Sequence, residues 1–130
     1  MFDPDDPCLR RLRAICLALP GADEKVSHGR PNFFTRKVFA IFGGSLKGDH
    51  SAETARHAVL FLPDADDRPA LLDDERFFVP AYVGASGWLG LSFALAGGFE
   101  RVDWEEVAEL VDASYRNTAP AGLVAQLDTR

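Results

Sequence analysis

The chain has 130 residues, of which 47% are hydrophobic and 26% charged, and its formal net charge at pH 7 is -6. This length fits one domain that can bury a core without a disulfide or metal staple. The composition is that of a globular protein and excludes the disordered and fibrous classes. No apolar run approaches the roughly 18 residues of a membrane span, and the acidic start is unlike a signal peptide. We therefore expect a single domain over residues 1–130, with no membrane partner and a cytoplasmic location.

The charge is unevenly distributed along the chain. Residues 1–50 hold eight Lys and Arg against six Asp and Glu, whereas residues 51–130 hold six against fourteen. Between Arg10 and Lys47, eight cations face only Asp23 and Glu24. The sequence therefore predicts a basic face on an acidic protein.

The first predicted element is an amphipathic helix that begins after Asp6. Asp6 suits an N-cap, Pro7 suits the first helical position, and Pro20 ends the run. The apolar stripe of this helix consists of Leu9, Leu12, Ile15, Cys16 and Leu19. The chain's two cysteines, Cys8 and Cys16, lie about 12 Å apart along the helix axis, which is too far for a disulfide. We expect both to be reduced thiols.

Segments rich in aromatic and β-branched residues follow the helix. They lie around Val26, at 33–34, at 37–44 and at 57–63. Their composition predicts successive antiparallel strands over residues 33–62, joined by turns at Gly43-Gly44 and within "LKGDHSAETAR".

The second half of the chain contains a short acidic helix, two strands and a long final helix. The short helix is predicted within 66–77, and Pro80 places the strand that contains it at an edge of the sheet. Asp103 and Glu106 form a capping-box pattern that starts a helix over about 104–116, which ends before Pro120. The order of elements predicts an α+β fold, with a single antiparallel sheet of about five or six strands and the N- and C-terminal helices packed on one face.

The segment "SHGRPNFF" (27–34) has two interpretations. In the structural one, Gly29 supplies an unusual backbone angle and Pro31 begins a strand. In the functional one, Arg30 presents a bidentate fork to a phosphate or carboxylate, and His28 donates or titrates beside it. Neither the His28 nor the Arg30 side chain is needed to make a turn, so both interpretations stay open for this pair.

Recognisable catalytic and metal-binding patterns are lacking. The string "GASGW" (84–88) has Trp88 where a nucleophile elbow requires glycine, and the glycine spacing of 43–48 continues without the P-loop lysine. The histidines His28, His50 and His57 stand singly, although His50 and His57 could meet around one turn. We expect no catalytic residue, no metal site and no cofactor, and hence a protein that is not an enzyme.

Several dispersed strings resemble one family over nearly the whole chain. These strings are "LPGADE", "HGRPNFF", "KVFA", "FFVPAYVGASGWLGL" and "VDWEEVAELVDASYRNTAP". Together they are similar to the MmcQ/YjbR-like family of small bacterial proteins. The resemblance implies a frataxin-like (CyaY-like) α+β domain with a double-wing arrangement and a DNA-binding role.

Two functional hypotheses follow. In the first, the basic N-terminal half binds DNA without sequence specificity, and its phosphate contacts are Arg30, Arg36, Lys37 and Lys47. In the second, the protein is a small anionic-ligand or protein-interaction module, and its pocket is lined by His28, Arg30, Tyr82 and Trp88. We expect core packing for most of the aromatic residues, with Tyr82 and Trp88 as the exceptions because each has a polar tip beside glycines. We expect a monomer or a weak dimer.

Overall fold

The computed structural model describes residues 2–49 and 52–130. The helices are α1 (Pro7–Leu17), α2 (Glu53–Arg56), α3 (Arg68–Leu72), α4 (Trp104–Thr118) and α5 (Ala121–Asp128). The strands are β1 (Asp23–Ser27), β2 (Arg30–Phe34), β3 (Val38–Phe42), β4 (Ala58–Phe61), β5 (Phe77–Phe78) and β6 (Leu89–Ser92). A short 3₁₀ helix, Val83–Ser86, precedes β6.

The six strands form one sheet in the order β1-β2-β3-β4-β6-β5, and every neighbouring pair is antiparallel. The predicted α+β class with a single antiparallel sheet is therefore confirmed. β5 is an edge strand, and Pro80 lies two residues beyond its end. This position agrees with the rule that proline, which lacks an N–H donor, is kept to sheet edges.

The N- and C-terminal helices cover one face of the sheet. α1 and α4 contact each other, and both contact β3. The side chains between the two layers are almost wholly buried and include Leu9, Leu12, Phe33, Phe39, Phe61, Leu91, Val107, Val111 and Tyr115. Removal of this apolar surface from water is the main force that holds the helices on the sheet.

Side-chain caps begin both long helices, as the sequence predicts. Asp6 accepts hydrogen bonds from the N–H groups of Cys8 (2.8 Å) and Leu9 (3.3 Å). Asp103 accepts from Glu105 and Glu106. The capping box at α4 is only half formed, because the Glu106 carboxylate forms an ion pair with Arg76 (2.8 Å) instead of turning back to the Asp103 N–H.

Two helices were not predicted. α2 lies within "LKGDHSAETAR", where the sequence predicts a turn, and α5 follows the proline that ends the predicted C-terminal helix. Neither helix begins with a side-chain cap hydrogen bond. They are held by packing: Ala55 of α2 is fully buried, and Leu123 and Leu127 of α5 pack against the core.

None of the helices in the described ranges combines the length and the apolar character that crossing a lipid bilayer requires. Cys8 and Cys16 are both free and fully buried on α1.

One buried hydroxyl joins α4 to the sheet, and its removal tests this fold. The Ser114 hydroxyl donates to the Phe39 carbonyl oxygen (2.6 Å) and accepts from the Leu62 N–H (2.8 Å). Ser114→Ala leaves both backbone groups unpaired, so we expect the free energy of unfolding to fall by about 1–3 kcal/mol in urea denaturation. The exposed Ser86 is a matched control, and Ser86→Ala is expected to change stability by less than about 0.5 kcal/mol. Equal effects of the two substitutions would contradict this packing.

Candidate functional site

A cavity of about 500 Å³ opens at one end of the sheet. It lies where the β1–β2 turn, the end of β3, α2 and the segment before α1 meet. It is lined by Phe2, Asp3, Asp6, His28, Gly29, Arg30, Phe42, Gly43, Glu53, Arg56 and His57. His28 and Arg30 of "SHGRPNFF" therefore share a cavity with a second basic pair, Arg56 and His57.

The β1–β2 connection is a two-residue turn. Ser27 pairs with Arg30, and the residues between them, His28 and Gly29, have φ values of 53° and 75°. Positive φ at both central residues defines a type I′ turn, for which Asn-Gly is the preferred sequence. Gly29 is explained by the turn. A histidine in the left-handed region costs about 1–3 kcal/mol, and the turn itself does not explain its presence.

Gly43 lies between the Arg30 side chain and the Arg56 carbonyl group. A Cβ atom at Gly43 would lie 3.8 Å from Arg30 Cδ, 3.9 Å from its Nε and only 2.9 Å from the Arg56 carbonyl oxygen. Gly43 also has a φ of 91°, a conformation that other residues rarely adopt. The Arg56 carbonyl and the backbone angle therefore require glycine at position 43, whereas Arg30 lies at an ordinary contact distance from it.

His57 is held at the cavity wall by Asp6. Its Nε2 lies 2.7 Å from Asp6 Oδ2, while Asp6 Oδ1 caps α1. The imidazole ring packs edge-on against Phe42 (5.8 Å between centroids) and Phe93 (5.7 Å). One carboxylate thus ties the start of α1 to the residue before β4.

The carboxylates of the lining already have partners. Asp6 pairs with His57, Glu53 lies 3.7 Å from Arg56, and Asp3 accepts from the Asp5 N–H (2.9 Å). Among residues 2–49 and 52–130, no ion-pair partner reaches the Arg30 guanidinium. Arg30 is therefore the cation of the lining that can receive an incoming anion.

Cys8 lies behind the Asp6–His57 pair. Its Sγ, a carboxylate oxygen of Asp6 and a ring nitrogen of His57 all lie within 4.8 Å of one another. Burial, and secondarily the negative charge of Asp6, raise the pKa of the Cys8 thiol to about 12. The thiol is therefore protonated at neutral pH and is a poor nucleophile on its own.

Three further basic residues predicted as contacts lie elsewhere. Arg36 and Lys37 are exposed in the β2–β3 turn, at the end of β2 opposite Arg30. Lys47 is exposed in the loop after β3. These three residues are therefore not among the described residues that line the cavity.

The two predicted aromatic exceptions do not line this cavity. Tyr82 is 79% exposed, whereas Trp88 is buried with 9% of its surface exposed. Tyr82 has a φ of 67° and a ψ of -75°, and the Val83 N–H donates to the Ala81 carbonyl (2.9 Å). This geometry is a classic γ-turn, a rare and strained conformation. His50, the remaining histidine considered for a metal site, lies outside the described residues.

The comparison with known proteins concerns the family and the fold. Residues 17–117 match the YjbR family model. The chain belongs to the YjbR family. The crystal structure of protein DR2400 of Deinococcus radiodurans, which has a DUF419 domain, is similar over 89% of this chain and 83% of that chain, with a TM-score of 0.63 and 17% sequence identity. At that identity the likeness shows the fold alone. No curated protein sequence matches the chain significantly.

In this YjbR-family chain, sequence patterns indicated half of the cavity. The sequence predicts His28 and Arg30 as pocket residues. It does not predict Arg56 there, it places His57 only in a possible metal site with His50, and it gives Asp6 only the role of a helix cap. The available signal was the adjacent Arg56-His57 pair just before a strongly apolar strand. Its meeting with His28 and Arg30 depends on the pairing of β3 with β2 and β4, which brings both pairs to the same end of the sheet.

The strain at His28 generates a stability test. His28→Asn is expected to raise the free energy of unfolding by about 0.5–1 kcal/mol, because Asn adopts the left-handed region more readily. Gly29→Ala is the converse control: nothing lies within 4 Å of its Cβ position, so its expected loss of about 1–2 kcal/mol comes from the backbone alone. Urea denaturation measures both. Loss of stability in His28→Asn would show that the imidazole supports the fold, against a functional role.

Proposed function

We propose that this YjbR-family protein is a binding module for a small anion, which occupies the cavity beside Arg30. The observation that carries the proposal is the Arg30 guanidinium, which lies along Gly43 in a cavity of about 500 Å³ without an ion-pair partner among the described residues. Small-molecule sites commonly have volumes of about 300–1,000 Å³. A guanidinium offers a planar fork of donors that matches a carboxylate or a phosphate.

The other basic residues of the lining support this role. His28 occupies a turn position that favours asparagine or glycine, so the turn does not require the imidazole, and its ring nitrogens can contact an anion in the cavity. Arg56 is half-exposed, and its 3.7 Å contact with Glu53 is long enough to be exchanged for a ligand contact. The Asp6–His57 pair fixes the opposite wall of the cavity. In this proposal Arg30 binds the anion, and His28 and Arg56 complete its surroundings.

The test begins with a thermal-shift screen of inorganic phosphate, di- and tricarboxylates and mononucleotides. For the best ligand, isothermal titration calorimetry is expected to show an affinity about 10- to 100-fold lower in Arg30→Ala, since one charge-assisted contact is worth about 1.5–3 kcal/mol. Arg30→Lys retains the charge but not the fork, so it is expected to recover only part of the affinity. Arg36→Ala is the matched control at the far end of β2. No stabilisation by any anion, or equal affinities of Arg30→Ala and Arg36→Ala, would refute the proposal.

Non-sequence-specific DNA binding is the second candidate. The exposure of Arg36, Lys37 and Lys47 favours it, as does the Lys25 ammonium, which lies 4.7 Å above the Phe34 ring beside the β2–β3 turn. The arginines of α1 contribute less, because Arg10 and Arg13 form ion pairs with Asp5 and Glu24. The phosphate contacts of this candidate are Arg30, Arg36, Lys37 and Lys47.

Fluorescence anisotropy with an arbitrary DNA duplex tests this second candidate. Three or four phosphate contacts are expected to give a log-log salt slope of about -3 to -4. The triple variant Arg36→Ala, Lys37→Ala, Lys47→Ala is expected to reduce the magnitude of the slope by about 2–3 without changing anion affinity in the cavity. Absence of binding at about 50 mM salt, where phosphate contacts are strong, would reject the DNA candidate.

A further inference from the structure

Three different donor atoms converge at the inner wall of the cavity. A carboxylate oxygen of Asp6, the thiol sulfur of Cys8 and a ring nitrogen of His57 lie within 4.8 Å of one another. They come from the N-cap of α1, the first turn of α1 and the residue before β4. Neither cysteine–histidine spacing nor histidine spacing in the sequence predicts this cluster, because the contact between Asp6 and His57 spans 51 positions of the chain.

We propose that Asp6, Cys8 and His57 bind a divalent, borderline-soft transition metal ion such as Zn²⁺. Oxygen, sulfur and nitrogen donors together suit zinc and cobalt better than calcium or magnesium, which prefer oxygen alone. The proposal goes beyond anion binding and does not depend on it. The YjbR family match begins at residue 17, so two of the three donors precede the matched region.

The distances and the burial fit such an ion. Metal–ligand bonds of about 2.0–2.3 Å place tetrahedral ligand atoms roughly 3.3–3.8 Å apart. Asp6 Oδ2 and His57 Nε2, now 2.7 Å apart, must therefore separate by less than about 1 Å. Cys8 is fully buried, whereas the Asp6 and His57 side chains are 19% and 31% exposed. Three protein ligands then leave the fourth position open toward the cavity, where water or an anion can bind.

Asp6 can take part without giving up its structural role. Its Oδ1 accepts the hydrogen bonds that cap α1, and its Oδ2 is the atom that faces His57. When Nε2 of His57 binds the metal, the hydrogen between it and Asp6 leaves that nitrogen, and a neutral imidazole keeps its one N–H at Nδ1. Two coordinate bonds then replace the hydrogen bond between Asp6 and His57, and the cap is retained.

The charges balance when the thiol proton is released. The Asp6 carboxylate, the Cys8 thiolate and a neutral His57 that coordinates through Nε2 carry two negative charges, which a divalent ion neutralises. Binding therefore releases the Cys8 proton to solvent, and the apparent affinity is expected to rise with pH.

The experiment uses the untagged full-length protein and Co²⁺ as a spectroscopic probe. We expect one Co²⁺ per chain, a thiolate-to-cobalt charge-transfer band in the near ultraviolet, and loss of that band when Zn²⁺ is added. Cys8→Ala is expected to abolish the band and to lower Zn²⁺ affinity by at least about 10-fold. Cys16→Ala, at the other fully buried cysteine of α1, is the matched control and is expected to leave the band unchanged.

Asp6→Asn separates coordination from folding. Asparagine caps a helix about as well as aspartate, so circular dichroism is expected to show a folded variant, while Zn²⁺ affinity falls by at least about 10-fold because the carboxylate ligand is lost. No stoichiometric Co²⁺ or Zn²⁺ binding by the wild type would overturn the proposal. So would an unchanged Co²⁺ spectrum in both Cys8→Ala and Asp6→Asn. The anion titrations are then repeated in the presence of a metal chelator. Anion affinity that is unchanged there shows that anion binding does not need the metal, so the two proposals can fail separately.

Discussion

This region of the protein depends on the contacts of one carboxylate, that of Asp6. One oxygen satisfies N–H groups at the start of α1, and the other lies 2.7 Å from His57 Nε2. A helix end leaves four N–H groups without intrahelical partners, so the cap stabilises α1 where it must begin. Because the same side chain holds His57, the first helix and the start of β4 are fixed to each other. The cavity wall and the cluster with Cys8 both follow from this connection.

Unusual backbone conformations occur at the same cavity. His28, Gly29 and Gly43 all have positive φ. At the two glycines this conformation is nearly free of cost, whereas at His28 it costs stability. His28 thus occupies a turn position that favours asparagine or glycine, and the Arg30 side chain beside it lies near Gly43. These two observations are the basis on which a binding role is proposed for this end of the sheet.

The tertiary structure also redistributes the charges. By sequence, the N-terminal half has a basic excess, but Arg10 and Arg13 lie beside Asp5 and Glu24. The exposed Arg10–Asp5 pair contributes little stability, whereas the Arg13–Glu24 pair is partly buried and bidentate, and both pairs lower the local positive potential. Of the cations proposed as contacts, Arg30 lines the cavity at one end of β2, Arg36 and Lys37 lie in the β2–β3 turn at the other end, and Lys47 lies in the loop after β3. This separation gives anion binding and DNA binding different residues, apart from Arg30.

The α+β class, both capped helices and the antiparallel strands could be predicted from the sequence alone, because caps, turns and apolar periodicity act between residues a few positions apart. The sequence also identified His28 and Arg30 as residues whose side chains are not needed to form the turn. The convergence of Asp6, Cys8 and His57 could not be predicted in this way, since the contact between Asp6 and His57 joins residues 51 positions apart and forms only in the folded chain. The same holds for α2 and α5, which lack side-chain caps and exist because the folded core gives their apolar residues a surface to cover.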